Sequence, residues 1–237
     1  EGHDAVDCTH RIVRPSGEVR WVVTRTSGVR DPQDPVVSGT MLDITDRRQA
    51  ELEIEHLAFH DPLTGLPNRS KITAQLDEQL ASAAADGPRI AVALVDLDHF
   101  KIINDSLGHS AGDAVLVAVA RRIESVLDPD EVLARFGGDE FAVIRSEDDG
   151  GDVGAAFGHR LLAALESPVT VDQRDFHLTM SVGISLSAAG DDAECLFREA
   201  DTAMYHAKET GRARVALYGE ALRAGRCRRL DLRAALD

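Results

Sequence analysis

The sequence is poor in the residues that make covalent cross-links and aromatic surfaces. It has three cysteines and one tryptophan, and aromatic residues make up 4% of its 237 positions. Cys8, Cys195 and Cys227 are odd in number and lack the spacing of a metal site. We therefore expect free thiols in a reducing, cytoplasmic compartment and no disulfide framework. The chain also lacks a secretory leader and an apolar run long enough to span a bilayer, so we expect this segment to make no membrane contact.

Basic residues are outnumbered as well. Lysine and arginine total 26 against 41 acidic residues, which gives a formal net charge of -15. This balance argues against a partner that is a nucleic-acid polymer, because binding one takes many cations along its phosphates. A triphosphate can still be bound if metal ions and a few local cations neutralise it. The chain starts at Glu1 within a strand-rich stretch, so we expect it to be part of a longer protein.

Two adjacent carboxylates stand in a predicted hairpin turn. Asp139 and Glu140 follow Gly137 and Gly138, and an apolar, strand-like segment begins directly afterwards, at 141–144. Glycine accepts positive φ and lets the backbone turn tightly. Convergent carboxylates repel each other unless a cation lies between them, and oxygen ligands suit magnesium. The turn therefore predicts a metal site, with ordinary turn chemistry as the alternative explanation for Gly-Gly-Asp.

A second acidic segment follows a predicted buried strand. The apolar run at 89–95 ends in Asp96 and Asp98, which share one face by strand alternation. Ligands usually meet α/β folds where strands end. With the Asp139/Glu140 turn beside them, these carboxylates predict a magnesium site that the phosphates of a nucleotide complete.

Five ordered motifs resemble those of the GGDEF family of diguanylate cyclases, over roughly residues 46 to 218. They lie at residues 61–69, 96–105, 108–113, 137–141 and 200–212. The resemblance implies an enzyme that condenses two GTP molecules into cyclic di-GMP with release of pyrophosphate, across a homodimer, with Mg²⁺ or Mn²⁺ as cofactor. The alternative is a GTP-binding regulatory module that controls a neighbouring EAL phosphodiesterase domain.

The resemblance also implies the metal ligands and the catalytic pair. Asp96 and Asp139 would bind the metal through their side chains, and Leu97 would bind it through its backbone carbonyl. Glu140 would support the metal or take the proton of the 3′-hydroxyl. We assign the catalytic role to Asp139 and Glu140 as a pair.

The residues implied to contact the substrate fall into three groups. Guanine would be read by a carboxylate that accepts from its N1–H and N2 amino groups and by an amide that donates to its O6 or N7. The phosphates would be held by two cations and by backbone amides. The residues are Asn104 and Asp113 for the base, His109 for the nucleotide, Lys208 and Arg212 for the β- and γ-phosphates, and the amides near Phe100 and Lys101.

Each of these substrate contacts has a structural alternative. Asn104 and Asp113 could serve a turn and a helix cap, and His109 could be a satisfied structural histidine. Lys208 and Arg212 are four residues apart, so we expect them on one face of the final helix, where they could also complement its C-terminal dipole.

One motif departs from the family. Most product-inhibited members carry Arg-x-x-Asp ending six residues before the first glycine of the signature. Here that window begins at Asp128 and ends at Glu131, so an acid replaces the arginine. We therefore expect little product inhibition through this site.

The expected fold is α+β, with a central, mainly antiparallel sheet flanked by helices, like the palm of nucleotide cyclases and polymerases, plus a partial PAS antiparallel β fragment. The domains would be a C-terminal PAS fragment at 1–45, a signalling helix at 46–60, the GGDEF domain at 61–218 and a C-terminal helix at 219–237. The helix at 46–60 could instead pack on its own domain. The arginine-rich tail could be a solvated helix or the lead-in to an EAL domain.

The hydrophobic patterns place individual elements within these domains. Strands are expected at 10–14, 19–25, 36–44, 89–95, 141–144, 169–171 and 176–186, with an edge strand at 215–217. Helices are expected at 70–84, 112–127, 153–166 and 191–210.

Overall fold

The computed structural model describes residues 5–29, 36–82, 89–147 and 153–219. The chain divides into two compact units, Glu1–Ala58 and Phe59–Asp237. The arginine-rich tail and Cys227 lie outside the described residues. No helix in the described part of the chain is long and apolar enough to cross a membrane.

The first unit is a three-stranded antiparallel sheet followed by a helix. Its elements are β1 (Ala5–Val13), β2 (Val19–Val29), β3 (Val36–Asp43) and α1 (Thr45–Phe59), and the strand order is β1-β2-β3. Trp21 joins the sheet to the start of α1, because its backbone N–H donates to Thr45 Oγ1 at 2.8 Å and the Arg48 guanidinium stacks on its ring. Among the described side chains of this unit, Val22 is the only buried hydrophobic one.

The second unit contains the remaining elements. In chain order these are α2 (Arg69–Ser82), β4 (Arg89–Leu97), α3 (Phe100–Leu107), α4 (His109–Glu124), β5 (Val132–Gly137), β6 (Glu140–Glu147), α5 (Val153–Ala163), β7 (Val169–Val171), β8 (Arg174–Phe176), β9 (Met180–Leu186), α6 (Ala193–Glu209) and β10 (Val215–Leu217). Five strands form one sheet in the order β10-β9-β4-β6-β5, and β7 and β8 form a small hairpin. All neighbours in the large sheet are antiparallel except β10 and β9. The expected α+β fold with a mainly antiparallel central sheet is confirmed.

Strand β4 lies in the middle of this sheet and is buried on both faces. Alternate residues enter different cores, because successive side chains of a strand point to opposite faces. Ala93 and Val95 join the core that contains α4 and α5, whereas Val92 and Leu94 join the core that contains α2 and α6. Residues at even positions of β4 therefore face α6.

Helix α6 approaches β9 closely because β9 carries Gly183. A Cβ atom at Gly183 would lie 2.1 Å from both the carbonyl oxygen of Ala200 and the backbone nitrogen of Met204. Only glycine allows this contact, because any side chain would overlap the backbone of α6. The close approach packs α6 against the face of the sheet that carries the even-numbered side chains of β4.

Three differences from the expected elements bear on the site or on the loops beside it. The pattern at 100–107 was not predicted to be helical, yet it forms α3, separated from α4 by Gly108 with φ 83°. The helix expected to start at Gly112 begins at His109. The single strand expected at 176–186 is divided between β8 and β9, and Thr179 between them binds Asp98 instead of continuing a ladder.

Candidate active site

The ends of β4 and β6 bring two carboxylates together. Asp96 and Glu140 are Cα partners across the two strands, so their side chains lie on the same face of the sheet. Asp139 precedes Glu140 in the turn, and its carbonyl oxygen accepts a bond from the N–H of Leu97 at 3.3 Å. The turn is tight because Gly138 has φ 53°, which glycine adopts without strain. Asp96, Asp139, Glu140 and the nearby Lys208 are called the acidic corner below.

The charges of the acidic corner oppose one another. Burial raises the pKa of Asp96 above its ordinary value, Lys208 opposes that rise, and the charges of Asp139 and Asp98 add to it. Burial also raises the pKa of Glu140, and the nearby charge of Asp96 raises it further. The Lys208 ammonium lies 2.6 Å from Asp96 Oδ2. The corner therefore holds more negative charge than its single lysine balances, which is the condition that favours cation binding.

The donors of the acidic corner suit a hard divalent cation, because they are all oxygens. The described residues contain no ready-made group of three or more carboxylate, histidine or cysteine side chains that could hold a metal. The side chains alone thus fit a partial coordination shell, which phosphate oxygens would complete. Mg²⁺ characteristically binds to one or two protein carboxylates together with substrate phosphates.

Arg135 ties the turn to the first motif of the domain. Its Nη1 donates to Asp61 Oδ1 at 3.0 Å, and its Nη2 donates to the carbonyl oxygen of Gly138 at 2.7 Å. Its backbone N–H donates to the carbonyl oxygen of Pro67. Burial alone would raise the pKa of Asp61, but hydrogen bonds from Thr64 and the Arg135 charge bring it below its ordinary value. Sequence reasoning gave Arg135 no role, because a lone arginine carries no signal of its distant partner.

Asn104, Gly112 and Asp113 lie together on what is called the α3–α4 surface below. Asn104 is half-buried near the end of α3, and Asp113 is exposed in α4. A Cβ atom on Gly112 would lie 1.9 Å from Asn104 Oδ1. Gly112 therefore makes room for the Asn104 side chain, a role that the sequence pattern did not reveal. His109 is exposed at the first position of α4.

The expected phosphate contacts come from two places in the fold. Phe100 and Lys101 begin α3, and the first N–H groups of a helix have no acceptor within it, which suits an anion. Lys208 is in the last turn of α6. The expectation that Arg212 shares a helix face with Lys208 is wrong, because α6 ends at Glu209 and Arg212 adopts φ 60° in the loop beyond it.

A cavity of about 560 Å³ borders the acidic corner between α2 and α6. Glu140, Phe136, Phe197 and Arg198 are among the residues that line it. Asp201 also lines it and is close enough to raise the pKa of Glu140. Its place in the closing motif was the only sequence signal for Asp201, and no role was assigned to it.

Asp98 does not belong to the acidic corner, although it follows Asp96 by two residues. Its Oδ1 accepts from Ser181 Oγ and its Oδ2 accepts from Thr179 Oγ1, both at 2.7 Å. Oδ2 also accepts from the N–H of Ala213. The prediction that Asp98 joins Asp96 at a metal is therefore not supported by its contacts.

Comparison with known proteins gives the family. The model of the family "Diguanylate cyclase, GGDEF domain" matches residues 58–214. The cyclic di-GMP phosphodiesterase PdeR of Escherichia coli is 40% identical over 184 residues, which cover 77% of this chain and 27% of PdeR. The chain thus spans about a quarter of the length of that relative.

Two solved structures have the same fold. The GGDEF domain of TpbB from Pseudomonas aeruginosa superimposes with a TM-score of 0.65 at 36% identity, covering 70% of this chain and 97% of that one. The coiled coil and GGDEF domain of DgcB from Caulobacter crescentus, in complex with cyclic di-GMP, has a TM-score of 0.63 at 30% identity, covering 73% of this chain and 92% of that one. A family match over more than half of the chain, with these relatives, leads to one conclusion: the chain belongs to the GGDEF family of diguanylate cyclase domains.

Proposed function

We propose that the second unit is an active diguanylate cyclase that joins two GTP molecules into cyclic di-GMP. The observation that carries this proposal is the acidic corner, where Asp96 and Glu140 pair across two strands beside Asp139. The pKa values of Asp96 and Glu140 are both raised, and clusters of carboxylates with raised pKa values are typical of functional sites.

The metal ligands in this proposal are Asp96, the carbonyl oxygen of Leu97, Asp139 and Glu140. A bound Mg²⁺ or Mn²⁺ ion would lower the pKa of the attacking 3′-hydroxyl and neutralise charge on the α-phosphate. Glu140 lies at the border of the cavity, where it can accept the proton of that hydroxyl. The 3′-oxygen of each GTP bonds to the α-phosphorus of the other, so two phosphodiester bonds form, the two α–β phosphoanhydride bonds break and two pyrophosphates leave.

Guanine recognition is assigned to the α3–α4 surface. The Asp113 carboxylate accepts from guanine N1–H and the N2 amino group, and the Asn104 amide donates to O6 or N7. Adenine presents a donor where guanine has O6, so these two side chains reject ATP. His109 stands beside them at the start of α4.

The triphosphate is assigned to Lys208, Arg212 and the amides that begin α3 near Phe100 and Lys101. In the structure, the Lys208 ammonium contacts Asp96 Oδ2. Phosphate oxygens compete for the same ammonium, so GTP binding frees Asp96 at the moment when a cation arrives with the nucleotide. This exchange explains why one lysine can serve both a carboxylate and a phosphate.

Each copy of the domain has one set of base-reading residues, so the reaction needs two copies that face each other. We propose a homodimer as the active form. Activity per protomer should fall steeply as the purified chain is diluted below the dissociation constant of the dimer, and a steady specific activity over a hundredfold dilution across that value would contradict this.

The alternative is a GTP-binding module that regulates a phosphodiesterase domain. The similarity to PdeR, which is named as a cyclic di-GMP phosphodiesterase, is the reason to consider it. Incubation of the purified chain with GTP and Mg²⁺, followed by identification of the nucleotide product, separates the two. Cyclic di-GMP supports the cyclase, GTP binding without turnover supports the regulatory module, and neither binding nor turnover contradicts both. Glu140→Gln is the matched control, expected to fold and to lose turnover.

The chain on either side of the sheet domain also has a proposed role. We infer that residues 1–45 are the C-terminal part of a PAS sensor domain, that 46–60 is its signalling helix, that 61–218 is the GGDEF domain and that the tail leads into an EAL domain. The β1-β2-β3 sheet and its join to α1 at Trp21 and Thr45 support the first two of these. The domain would act in the cytoplasm.

A further inference from the structure

Asp98 is a buried carboxylate that the proposed chemistry leaves without a role. It is 5% exposed and its oxygens accept three hydrogen bonds, from Ser181, Thr179 and Ala213. Two of these donors are hydroxyl groups, that of Ser181 in β9 and that of Thr179 directly before this strand of the central sheet. The third is a backbone N–H of the loop that follows α6. Asp98 therefore connects the sheet to that loop.

The loop after α6 has an unusual backbone. Gly211 has φ 128°, Arg212 has φ 60° and Ala213 has φ 47°. Two consecutive residues other than glycine in the left-handed region are unfavourable unless the surrounding structure holds them. Hydrogen bonds hold both ends of the loop, from the Arg212 N–H to the Ala207 carbonyl oxygen and from the Val182 N–H to the Arg214 carbonyl oxygen. Between these ends, the bond from Ala213 N–H to Asp98 at 3.0 Å fixes the left-handed pair.

We propose that Asp98 is a positioning residue, which holds the Arg212–Ala213 backbone so that the Arg212 guanidinium meets the terminal phosphates of a guanosine triphosphate. The inference rests on the proposed function, because that function assigns Arg212 to the phosphates. Asp98 acts through Arg212 and touches neither metal nor nucleotide. Two neighbouring aspartates thus have separate tasks: Asp96 supplies charge to the acidic corner, and Asp98 fixes a distant cation.

The test compares the affinities of the purified chain for GTP and for GMP, measured by calorimetry. GMP lacks the phosphates that Arg212 would contact. Arg212→Ala is expected to weaken GTP binding about tenfold, the size of one lost charge-assisted contact, and to leave GMP binding unchanged. Asp98→Ala should lower the GTP-to-GMP affinity ratio in the same direction, and the double variant should lower it no further than Arg212→Ala does.

Rescue distinguishes this role from a general loss of structure. Ala213→Gly added to Asp98→Ala should restore most of the ratio, because glycine adopts φ 47° without the carboxylate. Asp98→Asn keeps an oxygen for the Ala213 N–H and should retain the ratio, which also covers the case in which Asp98→Ala fails to fold. Ser185→Ala is the matched control: it removes a buried hydrogen bond from the same strand, to the Leu196 carbonyl oxygen, and should leave the ratio unchanged.

The outcomes separate this inference from the proposed function. If Arg212→Ala lowers the ratio and Asp98→Ala leaves it unchanged, or if Asp98→Asn lowers it, the positioning role is wrong and the assignment of Arg212 stands. Equal losses of GTP and GMP affinity in Asp98→Ala, without rescue by Ala213→Gly, would also overturn it. If the unaltered chain binds no GTP, both the positioning role and the proposed function fail.

Discussion

The acidic corner and the α3–α4 surface meet the same proposed substrate, but different forces shape them. In the acidic corner, Asp96 is buried and Glu140 is half-buried; burial raises the pKa of both carboxylates, and the charge of Asp96 raises that of Glu140 further. On the α3–α4 surface, Asp113 is exposed, and the tight constraint is steric, where Gly112 leaves room for Asn104. The comparison teaches that charge substitutions should act mainly in the first region and volume substitutions mainly in the second.

The largest expected effect comes from Glu140→Gln. Loss of the carboxylate should reduce kcat by about a thousandfold or more, since it removes the proton acceptor and a metal-supporting group. The same change should raise the free energy of unfolding by about 0.5–2 kcal/mol, because it removes a charge that burial and then the neighbouring Asp96 disfavour, the two causes that raise the pKa of Glu140. Product formation and thermal unfolding without metal measure the two quantities.

Glu124→Gln is the matched control for this variant, because Glu124 is exposed on α4 away from the acidic corner. It should change neither turnover nor stability measurably. A Glu140→Gln protein that melts at a lower temperature than the original chain would show that the corner is not electrostatically strained.

The next largest effect is expected from Gly112→Ala, on the α3–α4 surface. The new Cβ atom would overlap Asn104 Oδ1, a side-chain end that can rotate away. We expect kcat/KM for GTP to fall about 10–100-fold through the displaced amide, in line with one lost specific contact, with little change in melting temperature. The preference for GTP over ATP should decrease as well, which steady-state kinetics with both nucleotides would measure.

Gly158→Ala provides the steric control for Gly112→Ala. A Cβ atom there would meet the Val215 side chain at 2.5 Å, away from the α3–α4 surface. This variant should lose stability and keep its preference for GTP. If both variants lower the preference equally, Gly112 has no special relation to base recognition.

A change of pH should have a smaller effect on kcat/KM and on stability than these substitutions. The raised pKa values of Asp96 and Glu140 mean that both carboxylates gain protons at a higher pH than ordinary carboxylates. As the pH falls below neutral, kcat/KM should therefore decline earlier than an unperturbed aspartate or glutamate would cause. Stability should move in the opposite direction: a folded-state pKa above the unfolded one contributes stability at low pH that is lost as pH rises through the folded value.

Unfolding of the metal-free chain between mildly acidic and neutral pH measures that second trend. Glu140→Gln should reduce its slope. Asp61, whose pKa is lowered, contributes in the reverse sense, since its stability is present above its unfolded pKa and lost in acid. A kcat/KM profile that stays flat down to the ordinary carboxylate range would contradict the proposed electrostatics of the corner.

The smallest expected effect is product inhibition. The acids that replace the family's Arg-x-x-Asp motif are already paired, because Arg160 binds both Asp128 and Glu131 and Arg145 also binds Glu131. Added cyclic di-GMP should leave the initial rate unchanged at concentrations comparable to the substrate. Tight product binding that disappears in Asp128→Ala would show that this site does bind the product.

The sequence predicted the sheet, the hairpin turn and the pairing of the two acidic segments, because these depend on local hydrophobic patterns and on short motifs. It did not predict α3, whose eight residues are fewer than a periodic pattern needs to stand out. It also missed what depends on tertiary contacts: the bond of Arg135 to Asp61, the place of Gly112 against Asn104 and the loop that carries Arg212. The spacing of Asp96 and Asp98 gives no reason to distinguish them. Their partners do: Asp96 pairs with Lys208, whereas Asp98 accepts hydrogen bonds from residues beside and in β9 and from the loop after α6.

Arg135 connects the turn that carries Asp139 to the start of the second unit. The Phe59 carbonyl oxygen accepts from the Asn68 N–H, and the neighbouring Pro67 carbonyl oxygen accepts from the Arg135 N–H. The guanidinium of Arg135 donates a hydrogen bond to the Gly138 carbonyl oxygen. One side chain therefore joins residues 59–68 to the turn that carries Asp139, and loss of the Arg135 guanidinium would leave the Gly138 carbonyl oxygen without that contact.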